Sequence, residues 1–194
     1  MPGQPATFYY DVNSPYAYLA AVRIGALIPG AVWRPIALGI LFREIGKVPW
    51  SLRPGREEGM AECERRAAER GLPPLRWPEG WPADTWSFGP LRAAVVAEEH
   101  GLLAPFSLEC FRLIFAEARV MAEPENVLEA ARAVGLDPGE VSARIGEQEV
   151  KDRLRAYTDE AIGLGAVGVP TVAVGGELFW GDDRLEDAAA AASA

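Results

Sequence analysis

The stretch Phe8-Tyr9-Tyr10-Asp11-Val12-Asn13-Ser14-Pro15-Tyr16-Ala17-Tyr18-Leu19 reads as a strand end, a sharp turn and the start of a helix. Ala6 to Tyr10 are mostly β-branched or aromatic, which predicts a buried strand. Asp11 to Ser14 form the turn. Ser14 suits a helix N-cap, because its oxygen can accept from an otherwise unpartnered amide of the first turn. Pro15 suits the first helical position, where its missing N–H costs nothing. The helix is expected to run past Tyr18, Leu19, Val22 and Ile24 to the Pro29-Gly30 breaker. Val32 to Ile36 then predicts a second strand, with Pro35 placing it at a sheet edge or a strand end.

Working outward, the pattern that completes this unit lies at the other end of the chain. After Val169-Pro170, Thr171 to Val174 and Glu177 to Trp180 alternate as strands about a Gly175-Gly176 hairpin turn. Asp182-Asp183 start a final helix with a polyalanine tail. Between the two halves the period is helical. A short piece is expected at Leu41 to Ile45. Helices follow at Glu57 to Arg70, Pro90 to Glu99, Pro105 to Arg119, Pro124 to Val134, Pro138 to Ile145 and Glu147 to Ile162. Leu72 to Gly89, rich in Pro and Gly, should be mostly irregular. Strand–helix–strand, a helical block, then hairpin–helix predicts an α/β fold: a thioredoxin-like core interrupted by an all-helical insertion. Residues 1–40 and 165–194 would form the core and residues 41–164 the insertion domain.

The 194 residues suffice for one substantial domain, and 49% hydrophobic with 24% charged residues is ordinary for a globular chain. A net charge of -9 argues against a nucleic-acid or anionic-membrane partner. No apolar run approaches the ~20 residues of a membrane span. Met1 to Thr7 lack the basic patch and apolar segment of a signal peptide, so a cytoplasmic location is expected. Cys63 and Cys110 form no CxxC, and a reducing compartment disfavours a disulfide between them. The single histidine, His100, reads as a helix C-terminal residue, and no metal site is expected.

Two blocks, Asp11 to Leu19 and Gly168 to Leu185, closely resemble the 2-hydroxychromene-2-carboxylate isomerases. They are also similar to the related kappa-class glutathione transferases, within the broader DsbA-like superfamily. The resemblance implies glutathione as cofactor, with the Ser14 hydroxyl facing its sulfur. A free thiol ionises at a pKa of ~8.5, and a helix N-terminus lowers this toward ~7 or below. Two units correspond to ~2.7 kcal/mol, within reach of one charge-assisted hydrogen bond of ~1.5–3 kcal/mol plus the helix dipole. The bland reading of Ser14-Pro15 is a helix cap alone. Where redox relatives carry CxxC, this chain has Ser14-Pro15-Tyr16-Ala17, so exchange through a vicinal thiol pair is impossible.

The same resemblance implies a cis Val169-Pro170 bond with the Val169 N–H and C=O free to pair with the cysteinyl unit of glutathione; the plainer reading is an ordinary strand-leading proline. Asp182 and Asp183 would meet the γ-glutamyl ammonium, or simply cap the last helix. Arg56 stands where the family has a Lys and could hold a glutathione carboxylate. Gly55, Gly59 and Cys63 replace the family's Asn, Tyr and Asp. Phe115-Ala116-Glu117-Ala118-Arg119-Val120 replaces a Trp-x-Glu-Gly-Arg-Asp pattern, so the second-substrate pocket has changed more than the glutathione half. Trp77, Trp81 and Trp86 suggest an aromatic floor, though core filling is the commoner role. The expected function is a glutathione-dependent isomerase of a small aromatic or conjugated organic acid in aromatic catabolism, acting as a homodimer. A kappa-like transferase and a non-catalytic DsbA-like binding protein are the alternatives.

Overall fold

A computed structural model describes residues 5–194. Met1 to Gln4, part of the stretch read as lacking a leader and the first residues of the expected core, lie outside the described residues. Strand β1 (Ala6–Tyr10) leads through the turn into helix α1 (Pro15–Leu27) and strand β2 (Val32–Pro35). The chain then forms α2 (Leu38–Glu44), a 3-10 turn (Trp50–Leu52), α3 (Arg56–Glu69), α4 (Phe88–Glu99) and α5 (Leu103–Glu117). It continues through α6 (Pro124–Ala133), α7 (Pro138–Arg144) and α8 (Gln148–Gly163). The hairpin of β3 (Thr171–Val174) and β4 (Glu177–Trp180) returns to the sheet, and a 3-10 turn (Asp182–Arg184) opens α9 (Leu185–Ser193).

The sheet order is β2-β1-β3-β4, with β1 parallel to β2 and antiparallel to β3. Both halves of the chain thus build one sheet, and β1 is a central strand. Its alternation distributes the aromatics: Phe8 and Tyr10 lie together against Trp33, and Tyr10 meets Ser107 and Phe111 of α5. Tyr9 points the other way and donates to Glu160 of α8 at 2.5 Å. Helices therefore cover both faces of the sheet, as the period-two pattern of a doubly buried strand requires. Phe8, Tyr9 and Tyr10 are almost fully buried.

Two helices begin earlier than their prolines suggested. Pro90 and Pro105 each occupy the third position of α4 and α5, inside the first turn, where amides have no intrahelical partner. Pro124 and Pro138 do sit at the first helical position. Residues 72–87 are irregular, with a cis Trp81–Pro82 bond, and Arg76 N–H donates to Phe115 O at 2.8 Å. His100 ends α4 and contacts Glu140 at 3.0 Å.

Candidate active site

Ser14 caps α1: its Oγ accepts from the Ala17 N–H at 3.2 Å, and its own N–H donates to Asp11 O at 3.0 Å. Ser14 is 7% exposed, and among the described residues its hydroxyl hydrogen has no acceptor. Capping uses a lone pair, so the cap and a hydrogen bond donated outward are compatible.

The turn is fixed from below by Asp11, which is buried. Its carboxylate accepts from Asn13 N–H at 2.9 Å, from Leu38 N–H at 3.0 Å and from Ser87 Oγ at 3.0 Å. Burial raises the Asp11 carboxyl above its ordinary range against the pull of those donors. Asn13 clasps the irregular segment. Its Nδ2 donates to Thr85 O at 2.6 Å and Oγ1 at 2.9 Å, while Trp81 Nε1 donates to Asn13 O at 3.2 Å. Asp11, Asn13 and Thr85 are thus part of the site's frame, although their sequence pattern signals only turn and loop. The signal in the sequence is an acid three residues before the serine.

The sheet register brings the distant block to the same place. Tyr9 pairs with Thr171, so Val169-Pro170 lies at the end of β1 from which the Ser14 turn departs. The Val169–Pro170 bond is cis. Among the described residues, neither the N–H nor the C=O of Val169 pairs with another backbone group. Pro170 O accepts from Gly181 N–H at 2.9 Å, which draws Asp182 and Asp183 to this end as well.

The two aspartates differ sharply. Asp182 is 1% exposed; Arg66 lies 2.7 Å from its Oδ1 and Arg70 lies 2.5 Å from its Oδ2, the latter an ionic contact without hydrogen-bond alignment. Asp183 is 61% exposed, with Arg66 3.9 Å away. Neither supplies a side-chain cap to the last helix. Arg56 opens α3, leans toward Trp81 O at 3.4 Å and lies 3.4 Å from Glu57.

An aromatic group adjoins the turn: Tyr16 meets Trp50 edge-on at 5.8 Å, and Trp50, Trp81 and Trp77 follow in contact. Trp81 is buried, Trp77 is partly buried against Phe115, and Trp86 is exposed. Gly59 is required by this packing, since a Cβ there would lie 2.4 Å from the Trp50 ring. A shallow crevice beside the turn is lined by Val12, Asn13, Thr85, Trp86, Arg119 and Met121 among others; Ser14 does not line it. Cys63 and Cys110 are free and buried; burial pushes the Cys63 thiol up to about 12 and Cys110 well above its ordinary value. Among the described residues there is no cluster able to hold a metal ion, and no helix is long and apolar enough to cross a membrane.

A sequence profile of the DSBA-like thioredoxin domain matches residues 6–192. The chain belongs to that family. It is 27% identical over 186 residues to a 2-hydroxychromene-2-carboxylate isomerase of Sphingobium xenophagum, covering 92% of this chain and 93% of that protein. It is 26% identical over 194 residues to glutathione S-transferase kappa 1 of Caenorhabditis elegans, covering 92% and 86%. Among solved structures, a selenomethionine form of 2-hydroxychromene-2-carboxylate isomerase superposes with a TM-score of 0.79 at 22% identity, over 93% of this chain and 90% of that one. The DsbA-like α/β fold is thereby fixed, and these family members are enzymes with isomerase or glutathione-transfer activity.

Proposed function

We propose that the chain is a glutathione-dependent isomerase of the 2-hydroxychromene-2-carboxylate type, with Ser14 as its catalytic residue. The observation that carries this is the convergence of an N-cap hydroxyl with an unassigned hydrogen, an unpaired Val169 backbone and an exposed Asp183 at one end of the sheet. Those groups fit a cysteinyl peptide bearing an ammonium: Val169 pairs with the peptide backbone, and Asp183 takes the ammonium. Asp182, held between Arg66 and Arg70, orients that wall rather than meeting the ligand itself. Bound there, glutathione supplies a thiolate that adds reversibly to a conjugated carbon of the acid, frees the former double bond to rotate, and leaves unchanged. Ser14 donates its hydroxyl hydrogen to the sulfur, and the first-turn amides of α1 favour its negative charge. Arg56 serves the carboxylate end of the peptide in this reading. Cytoplasmic location and a homodimer belong to the same proposal.

A kappa-like transferase remains the second reading, because identity to the kappa relative is within one percentage point of that to the isomerase. Incubation with glutathione and 2-hydroxychromene-2-carboxylate, followed by mass spectrometry, separates the two. The isomerase gives a product of unchanged mass with glutathione recovered; a lasting glutathione adduct favours the transferase. No binding of glutathione at millimolar concentration, by calorimetry, supports a non-catalytic binding protein instead.

A further inference from the structure

Asn13, the residue before Ser14, commits its side chain to one distant segment. Its Nδ2 donates to Thr85 O at 2.6 Å and to Thr85 Oγ1 at 2.9 Å, and the Thr85 hydroxyl lies 3.1 Å from Asn13 Oδ1. Trp81 Nε1 donates to the Asn13 carbonyl at 3.2 Å. Residues 81–87 contain neither helix nor strand. Among the described residues, the other hydrogen bonds tying them to distant parts of the chain run from Ser87 to Asp11 and from Arg56 to Trp81 O at 3.4 Å. Two residues of the Ser14 turn therefore carry most of the segment's polar attachment. Thr85 is buried whereas Trp86, next to it, is 67% exposed, and both line the crevice beside the turn together with Asn13.

An amide suits this position because it carries donors and an acceptor on one head, and Thr85 presents the complement: two oxygens to accept and one hydroxyl to donate. A carboxylate would set acceptor against acceptor at Thr85 O, and an apolar side chain would remove the donor altogether. The consequence is geometric. Consecutive Cα atoms are about 3.8 Å apart, so the residue that holds the crevice wall adjoins the residue proposed to hold the sulfur. The crevice has an exposed indole at Trp86 and apolar lining at Val12 and Met121, a surface suited to a flat conjugated ring. We infer that Asn13 is a positioning residue for the second ligand: its amide fixes Thr85 and Trp86 against the turn and thereby sets the affinity for a planar conjugated acid. Ser14, one residue on, serves the thiol. The class of this ligand rests on the glutathione-dependent reading; the role of Asn13 rests on its hydrogen bonds to Thr85.

Calorimetry with 2-hydroxycinnamate and, separately, with glutathione tests this on the parent chain, Asn13→Leu, Thr85→Val, Thr85→Ser, Trp86→Ala and the Asn13→Leu/Thr85→Val pair. Unfolding curves verify that each variant folds. Asn13→Leu is expected to weaken 2-hydroxycinnamate binding about tenfold and to leave glutathione binding within about twofold. Thr85→Val should weaken the acid about threefold, and Thr85→Ser should recover most of that loss. Added to Asn13→Leu, Thr85→Val should cost nothing further, because the hydroxyl acts through the amide. Trp86→Ala, at an exposed position, should weaken the acid alone; with Thr85→Val it decides the matter should Asn13→Leu fail to fold. Glutathione binding that falls as far as acid binding in Asn13→Leu would reduce the amide to a support of the turn and overturn the inference. Acid binding left unchanged by Asn13→Leu or by Trp86→Ala overturns it as well. A parent that binds glutathione but not 2-hydroxycinnamate also overturns it, while the thiol site stands. If the parent binds no glutathione, the functional reading fails and the acid titrations alone decide: dependence on Asn13 supports the assignment, independence overturns it.

Discussion

Ala118 ends α5 in the left-handed region at φ 59°, with the Arg119 N–H reaching back to Leu113 O at 2.9 Å. A Cβ disfavours that conformation by ~1–2 kcal/mol, and the related pattern carries a glycine there. Ala118→Gly is therefore expected to stabilise the chain by about 1 kcal/mol, a rise of roughly 2–4 °C in Tm by calorimetry. The aspartates make a paired prediction. Removing the buried carboxylate in Asp182→Ala leaves Arg70 without a carboxylate, while Arg66 keeps Glu62 at 2.6 Å, and should cost about 3 kcal/mol in urea unfolding. Asp183→Ala, at an exposed position, should stay within about 0.5 kcal/mol while weakening glutathione binding. Equal losses of stability would contradict the division of labour between them. The thiols carry a third expectation. With Cys63 raised to about 12 and Cys110 well above its ordinary value, essentially no thiolate exists at pH 8. A disulfide reagent should find neither thiol in the native state and both after denaturation; rapid native labelling would refute their burial.

Among the elements, the most legible were those whose signals agree locally. β1, the Ser14-Pro15 cap and the Gly175-Gly176 hairpin each combine side-chain period with turn chemistry, and each lies where expected. The starts of α4 and α5 lie two residues before their prolines, because a proline marks the first turn and not its first residue. The surroundings of Asp182 are illegible in the sequence for a different reason. Whether a carboxylate meets a ligand or two arginines depends on which helices meet in space, and α3 does not announce its neighbours. Gly59 belongs here too: its place in α3 looked like a lost family side chain, whereas the Trp50 ring occupies that space. Gly59→Ala should destabilise the fold by about 1–3 kcal/mol through this overpacking.

At the scale of the molecule, one hydrophobic cluster runs from Phe8 and Val172 in the sheet through Phe111 and Phe115 to Val127 and Leu154 in the helical block. We propose that residues 41–164 are an insertion in topology that does not fold alone, and that thermal unfolding shows a single transition; two resolved transitions would oppose this. In the function proposed above, Ser14 at the mouth of α1 holds a ligand's sulfur as an anion. The direct measurement is a pH titration of thiolate absorbance for glutathione bound to the parent chain and to Ser14→Ala. A bound-thiol pKa near ~7 or below is expected in the parent, rising by about one to two units in the variant. A bound thiol that ionises near its free value of ~8.5, or at the same pH in both proteins, would contradict it.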